Sequence, residues 1–173
     1  MLDYVNLRQL LKPLGPVVET GSYFMDLMMY PDIDLNLPLT NPEQLLGVAA
    51  ELSKLDCVRR IVYRRGMPGE LKDSFYIKPE IAYGEWGRDW KVDIWSMPAP
   101  LLGAQREHMT DLKHRMTRAQ REIILRTKYR LLNSEGRTPM YSGIFIYRAV
   151  INEGLSEFEG IVGYLSENGI ALS

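Results

Sequence analysis

Cysteine occurs once in this chain, at Cys57, and histidine twice, at His108 and His114. A lone thiol forms no intrachain disulfide, so the fold rests on its core, and the composition predicts a protein of the reducing cytoplasm. The two histidines are six residues apart, which does not put them on one helix face, and no H-E-x-x-H or Cys/His cluster accompanies them. A zinc site of that kind is therefore excluded. The chain also lacks Gly-x-x-x-x-Gly-Lys, Gly-x-Gly-x-x-Gly and Gly-x-Ser-x-Gly. These absences argue against a P-loop ATPase, a dinucleotide-binding unit and a hydrolase elbow. No apolar run approaches the ~18 residues that span a bilayer. The first dozen residues lack the basic-then-apolar order of a secretion signal. With 21 basic and 22 acidic residues the net charge is -1, so no global pull toward nucleic acid or membrane is implied.

What the chain does have is concentrated between Thr20 and Leu37, T-G-S-Y-F-M-D-L-M-M-Y-P-D-I-D-L-N-L. Asp32, Asp34 and Asn36 alternate with Ile33, Leu35 and Leu37. On a strand this puts the polar three on one face and the aliphatic three on the other. Carboxylates at i and i+2 then lie about 6.6 Å apart, a spacing suited to gripping one hard cation. Upstream, Gly21-Ser22 opens an apolar run, Tyr23–Tyr30, that is expected to be a helix of about 13 Å. Its N-terminus would offer N–H groups and a hydroxyl to an anion such as a phosphate.

The order Gly-Ser, nine residues, Asp-Ile-Asp resembles the signature of the DNA polymerase β-like nucleotidyltransferase superfamily. Val92-Asp93-Ile94 fits the later strand on which that superfamily carries a third carboxylate. The resemblance covers residues 18–96. It implies an α/β nucleotidyltransferase fold: a short mixed sheet with flanking helices, followed by a C-terminal helical bundle. It further implies that Asp32, Asp34 and Asp93 are catalytic and bind two Mg²⁺, or Mn²⁺, while Gly21 and Ser22 hold the phosphates of an NTP such as ATP. An NMP would pass to a hydroxyl, with Asp93 receiving the proton. In many members an Arg or a small residue follows Gly-Ser, where Tyr23 stands here, and Ser precedes D-x-D, where Pro31 stands.

The acceptor is not written in the motif. Small size and near-neutral charge favour a small molecule or a protein over nucleic acid. A second reading keeps the fold without the chemistry, as a nucleotide-sensing or partner-binding module.

Around this unit the periodicity predicts a helix over 3–12, a helix over 42–55 capped by Asn41, and strands at Cys57–Arg64, Ser74–Tyr83 and Trp90–Met97. Pro79 argues for an edge or a bulge in the second of these strands. Helices are expected on one side of the sheet. Beyond Pro98 everything reads helical, giving a nucleotidyltransferase core over 1–98 and a helical subdomain over 99–173. Residues 105–132 carry 8 Lys and Arg against 3 Asp and Glu, with a break near Thr117. Helices over 141–152 and 156–168 follow, the last capped by Ser156.

Overall fold

The Asp-Ile-Asp stretch opens β2 (Asp32–Pro38), and its aliphatic face is what the rest of the sheet is built on. The computed structural model describes residues 1–171. Its sheet has five strands in the order β1 (Val18–Thr20), β2, β5 (Trp90–Met97), β4 (Phe75–Ile81) and β3 (Val58–Arg65). β2 and β5 run parallel and every other pair is antiparallel. This is a mixed sheet with flanking helices.

Ile33 stands in register with Val92 and Leu35 with Ile94, all four at most 2% exposed. Leu7 and Leu11 of α1 (Leu7–Leu11) and Leu45, Val48 and Leu52 of α3 (Pro42–Leu52) pack on that face. Each such side chain contributes about 1.5–3 kcal/mol when fully buried. Asn41 caps α3 through a reciprocal pair with Gln44, and Pro42 opens its first turn.

α4 (Ala99–Arg115) lies on the opposite face, where Gln105 accepts a 2.7 Å hydrogen bond from Asn36. Helices therefore flank both faces, not one. α4 ends where Met116 turns extended, and Thr117 caps α5 (Arg118–Arg130) through Gln120. α6 (Ser142–Ile151) and α7 (Phe158–Glu167) complete a second apolar cluster with α4 and α5. No helix among the described residues is long and apolar enough to cross a membrane.

Four further expectations change. The helix expected over 3–12 narrows to Leu7–Leu11, because Asn6 is left-handed and a 3-10 turn takes over at Lys12. Pro79 lies in an interior strand: β4 pairs with β3 throughout but has no β5 partner at Lys78 or Pro79, where the missing N–H opens the ladder. Ser156 does not cap α7, since Glu157 stands at that position and Ser156 bonds to the Glu157 side chain. The helix expected over Tyr23–Tyr30 is a single turn, α2 (Gly21–Phe24). Met25 and Leu27 are both fully buried in the helical cluster, and this two-residue spacing is incompatible with one helix face. Asp26 between them is left-handed, at φ 56, and its side chain and carbonyl both accept from Arg121.

Candidate active site

Parallel register decides where the acidic side chains point. Asp34 is in register with Asp93, and Asp32 with Lys91. Side chains in register on neighbouring strands share a face, so Asp32, Asp34 and Asp93 lie on the same side of the sheet, opposite Ile33, Val92 and Ile94. β1 borders β2 on its other side with Thr20 beside Asp34, and the chain turns at once through Gly21. Gly21 has φ +62, and a Cβ there would lie 1.8 Å from Asp34 Oδ2. Only glycine fits a left-handed turn pressed against that carboxylate.

The carboxylates pay electrostatically for their company. Burial, then the charge of Asp93, pushes Asp32 up to about 6. Burial, then the charges of Asp32 and Asp93, pushes Asp34 up to about 7. Asp32 Oδ1 is buried without a hydrogen-bond partner. Asp93 Oδ1 accepts a 2.5 Å hydrogen bond from the Tyr76 hydroxyl, whose own ionisation is raised by burial and by Asp93.

On the β1 side of Asp34 the site is closed by the helical cluster. Lys128 of α5 is 2% exposed, and its ammonium donates to Ser22 Oγ at 2.8 Å and to the Leu27 carbonyl at 2.6 Å. Burial lowers it to about 8, against the opposing pull of Asp32 and Asp34. Ser22 Oγ also pairs with the Tyr147 hydroxyl of α6 at 2.9 Å. Sequence reading singled out neither Lys128 nor Tyr147. Lys128 was findable: Ile124, Thr127, Lys128 and Leu131 follow i, i+3, i+4, i+7, which puts a lysine on an apolar stripe.

On the other side, β5 and β4 present cations. Lys91, Arg137 and Lys78 all lower Asp32 by their charge. Arg137 arrives on a loop in which Thr138 bonds the Tyr30 hydroxyl and Arg88 donates to the Glu135 and Gly136 carbonyls. His108 stands 3.4 Å from the Arg148 guanidinium, and Cys57 is half-buried just before β3.

Among the described residues, no set of three Asp, Glu, His or Cys side chains already forms a metal cage. The donor chemistry nevertheless fits a hard divalent cation: oxygen ligands only, one of them a buried orphan, and two carboxyls raised by burial and then by mutual repulsion.

The chain overlays the structure of a GLD-2/RNP-8 complex over 77% of its length, with TM-score 0.50 and 13% identity. It overlays a poly(A) polymerase complex of GLD-2 and GLD-3 over 90%, with TM-score 0.57 and 14% identity. The fold is nucleotidyltransferase-like. The chain spans 44% and 52% of those two chains, and at such identity the likeness carries the fold alone. No protein-family model and no curated protein matches the sequence.

Proposed function

We propose that this chain is a nucleotidyltransferase that joins an NMP from an NTP to an acceptor hydroxyl. The observation that carries the reading is the Asp34–Asp93 register, which gathers Asp32, Asp34 and Asp93 on one face beside the Gly21 turn. The core would be 1–98 and the helical subdomain 99–173.

Asp32, Asp34 and Asp93 would hold two Mg²⁺ ions. Bound there, the ions supply phosphate charge neutralisation and acidify the acceptor hydroxyl. Gly21 leaves room for the Asp34 carboxylate to lie against the turn, beside which the phosphates would be held. The positive charge on that side comes from Lys128 more than from α2, since a one-turn helix has little dipole. Ser22, fixed between Lys128 and Tyr147, presents its hydroxyl without rotamer freedom.

Asp93 keeps one oxygen for the acceptor while Tyr76 holds the other. The hydroxyl oxygen attacks the α-phosphorus and its proton passes to Asp93. The bond from that phosphorus to the β-bridging oxygen breaks, and pyrophosphate leaves with the electron pair.

Calorimetry with each NTP in Mg²⁺ or Mn²⁺, beside incubation with labelled NTP and cell extract, tests the proposal. Divalent-dependent affinity is expected, weakened about tenfold in Lys128→Met, the loss of one charge-assisted hydrogen bond. Wild-type affinity too weak to measure at about millimolar NTP would overturn it. Binding without label transfer would favour the nucleotide-sensing reading instead.

A further inference from the structure

The site face of the sheet continues past Asp93 across β5, β4 and β3. Register sets its members: Glu80 pairs with Lys91 and Tyr76 with Trp95, then Arg60 pairs with Glu80 and Arg64 with Tyr76. Lys78 alternates with the buried Ile77 and Pro79, so it shares this face. The elements packed on the same face, α2 and α4, meet β1 and β2. Over β4 and β3 the surface is left to solvent, with Arg60 and Arg64 exposed and Lys78 and Trp95 half-buried.

Cations outnumber carboxylates on this face, Lys91, Lys78, Arg60 and Arg64 standing against Asp93 and Glu80. Glu80 lies 3.8 Å from Arg60 and 3.6 Å from Lys78 and offsets one of them. Lys91, Arg64 and Arg137 have no acidic partner within salt-bridge distance among the described residues. A chain of net charge -1 therefore carries a basic face, which its total conceals. One accessible ring stands among the cations: Trp95 is half-buried and packs on the buried Tyr76, with centroids 4.5 Å apart.

The extent of this face selects its occupant. Strands lie about 4.8 Å apart, so β5 and β3 are about 10 Å apart. One phosphate beside Lys91 does not also reach Arg64, whereas a chain of phosphates does. Spread cations beside an accessible ring are the footprint of single-stranded nucleic acid, where phosphates meet basic groups and a base stacks on the ring, here Trp95.

We infer that the β5–β4–β3 face binds single-stranded nucleic acid and leads its terminal hydroxyl to Asp93 as the acceptor. The acceptor role rests on the nucleotidyl-transfer reading; the binding surface does not. It replaces the small molecule or protein that net charge alone favoured.

The experiment uses the full chain and short 5′-fluorescein-labelled oligoribonucleotides and oligodeoxyribonucleotides, read by anisotropy without NTP or divalent ion. Binding is expected to weaken about tenfold or more between about 50 and 200 mM salt, as a few released counterions require. Arg60→Gln/Arg64→Gln, both exposed, is expected to bind about tenfold more weakly while NTP affinity by calorimetry is unchanged. No oligonucleotide binding would overturn the inference, as would an unaltered affinity in the double variant. Displacement by glycerol phosphate as effective as by unlabelled oligonucleotide would overturn it too, because one phosphate would then suffice. Strand binding without NTP binding would sink the transfer reading and leave the surface standing; the converse would sink the surface alone.

Discussion

The two sides of Asp34 are built on opposite principles. Toward β1, a glycine turn, a serine, a buried lysine and a tyrosine lock together, and each polar atom has a named partner. Toward β5, β4 and β3, cations and a half-buried tryptophan stand on an open sheet with Asp93 and one glutamate to answer them. The closed side owes its geometry to packing, so substitutions there should cost stability. The open side owes its character to charge, so substitutions there should change binding and little else.

The largest effect should come from Gly21→Ala. A left-handed non-glycine costs about 1 kcal/mol by itself, and the new Cβ would sit 1.8 Å from Asp34 Oδ2. Moving the carboxylate or the turn adds about 1–3 kcal/mol, as overpacking does. Gly87, in the turn before β5, has φ +69 and nothing within 4 Å of its would-be Cβ. Gly87→Ala should therefore show the backbone cost alone. Thermal unfolding of the two variants measures the difference, and equal losses would mean that Gly21 is an ordinary turn glycine.

Asp34→Asn acts on the carboxylate that both sides share. Its folded-state value is raised from 3.8 to about 7. Stability from this group is thus fully present below pH ~4 and is lost as pH rises through ~7. The wild type should lose stability over that window more than Asp34→Asn does. At pH ~8 the variant should be more stable by about 1–3 kcal/mol, less than the full shift because the side chain is only half-buried and its repulsion is shared. Added Mg²⁺ should recover the loss in wild type alone. Denaturant unfolding at pH ~5 and ~8, with and without Mg²⁺, decides it; a variant that is less stable at both would assign Asp34 a structural role.

How much of this was legible in the sequence follows from which forces are local. The alternation in Asp32–Leu37 and Trp90–Met97 yields both strands and their faces, because a two-residue period is a property of the chain itself. That β2 and β5 are parallel neighbours with Asp34 opposite Asp93 is set by tertiary pairing, and no local pattern contains it. α2 is shorter than its apolar content suggests because that content has no helical period: Met25 and Leu27 point together into the second cluster. Pro79 suggests an edge or a bulge; β4 is interior, its ladder to β3 shifts register between Val58 and Arg60, and its ladder to β5 is open at Lys78 and Pro79. Small size and net charge favour a small molecule or protein as acceptor, but a sum has no geometry, and only register sorts Arg60, Arg64, Lys78 and Lys91 onto one face.

A smaller predicted effect, Ser22→Ala, tests what kind of contact closes the β1 side. If Ser22 only started a helix, its hydroxyl would act as a cap, yet the position before α2 is Thr20 and no side-chain cap is made there. The hydroxyl instead lies between Tyr147 and Lys128, and Lys128 keeps the Leu27 carbonyl when Ser22 is removed. The variant should lose about 1 kcal/mol, the net worth of an ordinary hydrogen bond, because the buried ammonium is not left bare. Tyr147→Phe should cost a similar amount. Because the two hydroxyls bond each other, the double variant should cost less than the sum, with a coupling of about 0.5–1 kcal/mol. On the open side, Arg64→Gln should shift unfolding by less than about 0.5 kcal/mol. Denaturant unfolding of this cycle gives the answer: additive losses from Ser22→Ala and Tyr147→Phe would dissolve the closed side into independent contacts.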